Sequence, residues 1–397
     1  MEFWFWGFTT ETRRARRRCG TRRSLTRRRR GARIPGGDVF SRAYGVSADG
    51  SVIVGQGVSA SGHEAFRWKI NEGMVGLGDL PGGSFMSIAY GASADGSVIV
   101  GGGTVASTST HSIGILRAFR WTASLGMVSM GVGESTAFGV SQDGSVIVGA
   151  NYSSSYGTQP VRWTNGDDMA ILTNYLVSGM YARAVSANGS VIVGGGHEDP
   201  PLHAAFRWTS SQGLIGLGSL NGSNFDTNAR AISADGAVVA GDSSAYGYQK
   251  AFRWTQNDGM AALGDLPGEF LASEANGVSA NGSIIIGRAQ SSIESVPFIW
   301  DSNNGMRVLQ EVLQELLSPT DRCDLDEWRL INATAISADG QTVVGYGVNP
   351  SGNSEAWVAY LGNSVPEPSG LSIALFCLLL IFLSRSHRSL LGIGEFV

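Results

Sequence analysis

The chain has 397 residues, 56 of them Gly and only 16% charged, with a formal net charge of −4. Ordinary soluble domains carry ~25% charged residues. Here the charge is also segregated: residues 1–33 hold twelve Arg against two Glu, a net of +10, which leaves −14 on the remainder. An acidic body argues against nucleic acid as the main partner, and three scattered cysteines (Cys19, Cys323, Cys377) exclude a disulfide framework.

In chain order, the Arg-rich leader 1–33 comes first. It reads as a solvated, unstructured arm or a wrongly assigned start, because Phe3–Phe8 is too short for a signal-peptide core and precedes the arginines. Residues 34–361 then form a repeat array. Ser-Ala-Asp-Gly-Ser-Val-Ile-Val-Gly begins at Ser47 and recurs in variant form at Ser93, Ser141, Ser186, Ser233, Ser279 and Ser337. The spacing is 45–48 residues, stretched to 58 before the last copy. Each copy is followed by a tryptophan (Trp68, Trp121, Trp163, Trp208, Trp254, Trp300, Trp357), and six of the seven by a segment such as GMVGLGDL from Gly73.

A period near 46 residues is that of a four-stranded propeller blade. The fold class expected is therefore all-β, a seven-bladed β-propeller of four-stranded blades. In the first unit the strands fall at Ala43–Ser47, Ser51–Gly55, Glu64–Ile70 and Gly73–Leu80. Ala-Asp-Gly and Ala-Asn-Gly make the tight turn between strands one and two, because Asp, Asn and Gly tolerate positive φ. Strand one uses small residues (Ala43, Gly45), as a crowded axis requires, and strand two is apolar throughout, as in a sheet buried on both faces. Phe66 and Trp68 leave one face of strand three and are expected to pack blade on blade.

The turns between strands one and two, and between three and four, keep their length and type in nearly every unit. The connections between strands two and three, and between blades, vary and should share the other face, where binding residues concentrate. Ile34–Gly37 aligns with Leu80–Gly83, so the chain enters its repeat after a fourth strand, and the last blade, ending at Leu361, lacks its own. The leader ought to supply that strand, but Arg28–Arg33 replaces the expected apolar pattern with charge, so the last blade is expected to lack its fourth strand and the ring to risk an open edge.

Residues that break the repeat are the candidates for chemistry. His197, Asp199 and His203 share one variable loop and have the donor types of a metal site. Asp321, Asp324, Asp326 and Glu327 cluster in the insertion before the last blade and suit Ca²⁺, though without EF-hand spacing. Just before them, Met306–Leu317 has helical apolar spacing ended by Pro319. Isolated acids such as Asp226, Glu269 and Glu274 are present, but nothing in the sequence brings them together, and no catalytic residue or cofactor-binding motif stands out.

After a linker at 362–370, the apolar run Leu371–Leu383 ends in Arg385, His387 and Arg388, within a final segment 371–397. Thirteen residues fall short of the ~20 that span a bilayer comfortably, and the basic flank would hold that end in the cytoplasm. Pro366, Glu367 and Pro368 stand before the run. This order closely resembles the PEP-CTERM sorting signal of Gram-negative bacteria, and the tail Ser389–Val397 departs from it. The resemblance implies an exosortase-type processing enzyme as partner, transient membrane association, and export to the cell surface or an extracellular matrix.

The repeats resemble the HAF-family extracellular repeat, through Ala65–Trp68, Gly73-Met74, Leu77–Leu80 and Ser93–Gly96, over about Ile34–Leu361. That family has no assigned activity. The expected role is a non-catalytic surface or matrix scaffold that binds polysaccharide or protein, with a secreted propeller enzyme acting on polysaccharide as the alternative.

Overall fold

The structure is a computed structural model that describes residues 33–106, 114–131, 133–164, 168–173, 179–196, 205–222, 226–245, 247–268, 270–317, 322 and 325–362, together with the backbone of 5–7. Blade one comprises Ser41–Val46, Ile53–Ser59, Gly62–Lys69 and Gly73–Gly76, all antiparallel in sequence order. The pattern repeats around the molecule, and the seven blades expected from the seven repeats are present.

The seventh blade departs from expectation. Its own chain contributes only Arg329–Ile336, Thr342–Val348 and Ser354–Tyr360. Its fourth strand is not missing, because Phe5–Gly7 pairs antiparallel with the third, Phe5 opposite Ala359 and Gly7 opposite Trp357. The strand comes from upstream of the arginine runs, where the charged stretch had suggested none. Backbone pairing needs no side-chain pattern over three residues, so the repeat motif could not mark it.

The ring closes on its inner side too. The residue after the Ser of each turn bonds to the next turn: Ala94 N–H donates to Gln142 O, Gln142 to Ala187, Ala187 to Ala234, Ala234 to Ala280, Ala280 to Ala338 and Ala338 to Ala48, while Asp49 N–H donates to Ala94 O, all at 2.9–3.2 Å. Seven bonds thus circle the axis, one at each blade boundary. Ser41 Oγ accepts from Ala356 N–H, and Ile34, Ala43 and Phe66 share a core with Val344 and Val358. No open edge is left between blades seven and one.

The Ser-x-Asp-Gly turn explains its own repetition. Ser47 Oγ donates to Asp49 Oδ1 and accepts from Val52 N–H at 2.9 Å, while Ser51 N–H donates to the same carboxylate. Gly50 has φ +73°, which a side chain resists, and a Cβ there would also strike Thr342 of blade seven. In two blades Asn188 and Asn281 accept the same two bonds through a neutral oxygen.

That substitution is a natural control for acid stability. Asp95 is held below the ordinary carboxylate value, first by the Ser97 backbone N–H, then by the Ser97 and Ser93 hydroxyls; Asp143 and Asp235 are lowered similarly, first by the Ser141 and Ser233 hydroxyls. A depressed folded-state value adds stability above the unfolded-state value, ~3.9, and that stability is lost as pH falls through the folded value. Asp143→Asn is therefore expected to lower the melting temperature slightly at pH 7, where the carboxylate's extra stability is forgone, and to reduce its decline between pH 5 and 3. A variant that declined as steeply as the parent over that range would contradict this account.

Blade-to-blade packing follows the Phe-Arg-Trp pattern. Phe119 and Trp121 of blade two lie against Val52, Val54, Leu77 and Leu80 of blade one. The intervening arginine faces the other way: Arg67 lies over the Trp121 ring at 5.7 Å and Arg162 over Trp208 at 4.9 Å, each reaching the next blade. In blade seven the register differs from the sequence alignment. Gly345 pairs with Trp357 as Gly55 pairs with Phe66, so Trp357 fills the phenylalanine position and Ala359 the tryptophan position.

Three further boundaries are corrected. Strand four ends at Gly76, not Leu80: Leu77 N–H turns back to Ala65 O, Gly78 has φ +83°, and Asp79 accepts from Leu80 and Met86 N–H. Gly305–Val308 is the outer strand of blade six, so the helix begins only at Leu309 and runs to Leu316. Leu309, Leu313 and Leu317 bury against Leu325, Trp328 and Trp357, filling the space between blades six and seven. Much of the variable connections is ladder and not coil, since strands two and three continue to pairs such as Ser59–Gly62 and Ser153–Gly157.

Candidate functional site

The inner strands surround an axial cavity of about 450 Å³. Every inner strand carries a β-bulge at the same place, where the pairing shifts between Ala43 and Gly45, Ala89 and Gly91, Ala137 and Gly139, and onward to Ala333 and Ala335. A bulge re-aims a side chain. The bulged residues here are Tyr44, Tyr90, Phe138, Arg183, Arg230, Asn276 and Thr334, and all seven line the cavity. Their neighbours must be small: a Cβ on Gly45 would lie 2.6 Å from Tyr90 O and one on Gly139 3.0 Å from Arg183 O.

The cavity has two unlike halves and an apolar floor. Tyr44, Tyr90 and Phe138 form an aromatic arc with centroids 5.6 and 5.4 Å apart, and Tyr181 follows at 6.1 Å from Phe138. The opposite arc is polar. Asn276 Nδ2 donates to Asn332 Oδ1 at 2.9 Å, and Thr334 Oγ1 donates to Ala43 O. Two residues nearer the constant turns, the inner strands present only Val46, Ala92, Val140, Val185, Ile232, Val278 and Ile336. The polar chemistry therefore lies towards the variable face.

Charge in the cavity is almost fully paired. Arg230 bonds to buried Asp242 and to Glu274 at 3.2 Å, and Arg288 bonds to Glu274 at 2.7 Å. Burial would lower Arg230, but Asp242 and Glu274 outweigh it and hold the guanidinium charged. Burial would raise Glu274, yet the Arg288 hydrogen bond and the Arg230 charge keep it below its ordinary value. These two arginines and two carboxylates form an ion-paired network with no formal net charge.

Arg183 stands outside that network. Its guanidinium lies over the Phe138 ring at 5.1 Å and makes no hydrogen bond or ion pair among the described residues. Burial, and then the charge of Arg230, push it below the ordinary arginine value. Solvent still reaches it from the cavity, since the residue is only half-buried.

Of the candidates drawn from sequence, only Asp226, Glu274, Asp326 and Glu327 fall within the described residues. His197, Asp199 and His203 lie outside the described residues, as do Asp321, Asp324, Glu269 and the Pro366–Pro368 motif. Asp326 is exposed and accepts from Gln314 Nε2 at 2.8 Å, and Glu327 is exposed beside it. Among the described residues no three His, Cys, Asp or Glu side chains are placed to hold a metal, and no helix is long and apolar enough to cross a membrane. Glu274 alone of the isolated acids lines the cavity. The arginines of the site were missed, although a signal existed: between constant small residues, the same strand-one position reads Tyr, Tyr, Phe, Arg, Arg, Asn, Thr around the ring.

No family model matches the sequence, and no curated protein matches it. Among solved structures the chain is similar to an oligogalacturonate lyase in complex with manganese, at 10% identity and TM-score 0.52, over 82% of this chain and 89% of that one. An oligogalacturonate lyase from Vibrio parahaemolyticus is similar at 9% identity and TM-score 0.52, over 81% and 92%. TolB from Acinetobacter baumannii is similar at 15% identity and TM-score 0.44, over 69% of this chain, which spans 64% of that TolB's length. At these identities the likeness shows the β-propeller fold alone.

Proposed function

We propose that the chain is an exported, non-catalytic β-propeller that binds saccharide of a cell surface or extracellular matrix at the axial cavity, entering from the variable face. The observation that carries the reading is the cavity's division into an aromatic arc (Tyr44, Tyr90, Phe138) and a hydrogen-bonding arc (Asn276, Asn332, Thr334). A sugar ring has the matching pair of surfaces, an apolar C–H face and a polar hydroxyl edge. Pockets of this kind, ~300–1,000 Å³ with a few fixed polar groups, are where small ligands bind.

A non-catalytic role is supported by the carboxylates. Asp242 and Glu274 are both tied to arginine, so neither is a free acid or base. Export is supported by the resemblance of Val365–Arg388 to a PEP-CTERM signal, with an exosortase-type enzyme as processing partner, and by the HAF-like repeats.

The test is binding of the purified full chain to the exopolysaccharide of the producing bacterium, with polymer length followed in parallel. Saturable binding with unchanged polymer length is expected, and Tyr90→Ala should weaken it about tenfold. Shortening of the polymer would replace this reading with the polysaccharide-acting enzyme. An absence of saturable binding would overturn it.

A further inference from the structure

We infer that Arg183 is the anion-binding group of this cavity and that the saccharide bound is acidic, a uronate-terminated chain whose carboxylate pairs with the Arg183 guanidinium. The inference rests on the saccharide-binding reading above and narrows it to a ligand class.

Three observations carry it. First, Arg183 is the cavity-lining cation left over: Arg230 and Arg288 are both consumed by Asp242 and Glu274, while Arg183 makes no hydrogen bond or ion pair among the described residues. A half-buried guanidinium with no protein partner is partly desolvated, and a ligand carboxylate accepting two parallel N–H bonds offsets that cost. Second, Phe138 supports one face of the guanidinium at 5.1 Å, which orients the group while leaving its N–H edge open. Third, the uncompensated charge is a single positive one. It matches one carboxylate, whereas a phosphate dianion would leave negative charge in excess.

The depth of Arg183 in the cavity restricts the contact to a chain end. Arg183 is a bulge residue, one turn of the strand pleat below Tyr181 and the variable face, and beneath it lie Val140, Val185 and Ile232. A charged polymer gains nothing by threading that apolar ring, so only a chain end reaches the guanidinium. The aromatic neighbours Tyr90 and Phe138 then flank the terminal sugar ring.

The experiment is calorimetric titration of the full chain, and of Arg183→Gln and Arg183→Lys, with a glucuronate-terminated trisaccharide and with its methyl ester. Circular dichroism checks that each variant is folded. The acid should bind about 10- to 100-fold tighter than the ester, the usual worth of a charge-assisted pair. Arg183→Gln should erase the preference for acid over ester, and Arg183→Lys should recover part of it. Equal affinity for acid and ester, or an unchanged acid affinity in Arg183→Gln, would overturn the inference and leave the saccharide reading standing. If neither sugar binds and a short peptide binds through its free C-terminal carboxylate, both readings fall.

Discussion

Gly101→Ala is expected to destabilise the propeller by about 3 kcal/mol or more, the upper end of what overpacking costs. Gly101 closes the apolar run of strand two in blade two and has no positive φ, so conformational freedom is not the reason for glycine. The reason is approach. An added Cβ would fall on the carbonyl oxygen of Ile88 in strand one and within 2.8 Å of two carbons of the Phe119 ring. Backbone on one side and a fully buried ring on the other leave nothing that can yield. The same collision awaits a Cβ at Gly55, Gly149, Gly194, Gly241, Gly287 and Gly345, each against the carbonyl of its paired strand. Gly216 is the control, because a Cβ there meets nothing within 4 Å. Chemical denaturation of Gly101→Ala and Gly216→Ala checks the pair; near-equal midpoints would refute the packing account.

Trp357→Ala should cost about 3–5 kcal/mol, the range for deleting a large buried ring. Trp357 is fully buried and shares one cluster with Leu309 and Leu313 of the helix, Ile286 and Ile299 of blade six, and Val343 and Ala359 of blade seven. Its removal opens a cavity at the blade whose fourth strand is borrowed from residues 5–7. Trp357→Phe should cost only about 1–2 kcal/mol, since five other blades place Phe66, Phe119, Phe206, Phe252 and Phe298 at that position. Thermal unfolding distinguishes the two. If Phe were as damaging as Ala, the register assigned to Trp357 would be wrong.

Reading the site from sequence failed for a specific reason. Residues that interrupt the repeat, such as His197 and Asp326, stand out in the sequence because a unique site needs unique residues. The cavity is instead built at a position inside the repeat, where Arg183 and Arg230 replace the tyrosines of Tyr44 and Tyr90. Their partners Asp242, Glu274 and Arg288 lie 12–58 residues from Arg230 along the chain, and no local pattern joins them.

By itself the sequence determined the number of blades, the strand order within each and the face that carries the variable connections. Those features are set by contacts within ~46 residues: hairpin turns needing Asp or Asn and Gly, and alternation of buried and exposed positions. The tertiary structure alone decided how the ring closes, where Trp357 sits and which side chains face the axis. Closure rests on pairing between residues 350–354 positions apart, Phe5–Gly7 with Trp357–Ala359. The axial face depends on a bulge that turns one residue in each inner strand out of the pleat's alternation. The first is non-local and leaves no record in the repeat; the second leaves one, a variable position between constant small residues, but the pleat's alternation does not say that it faces the axis.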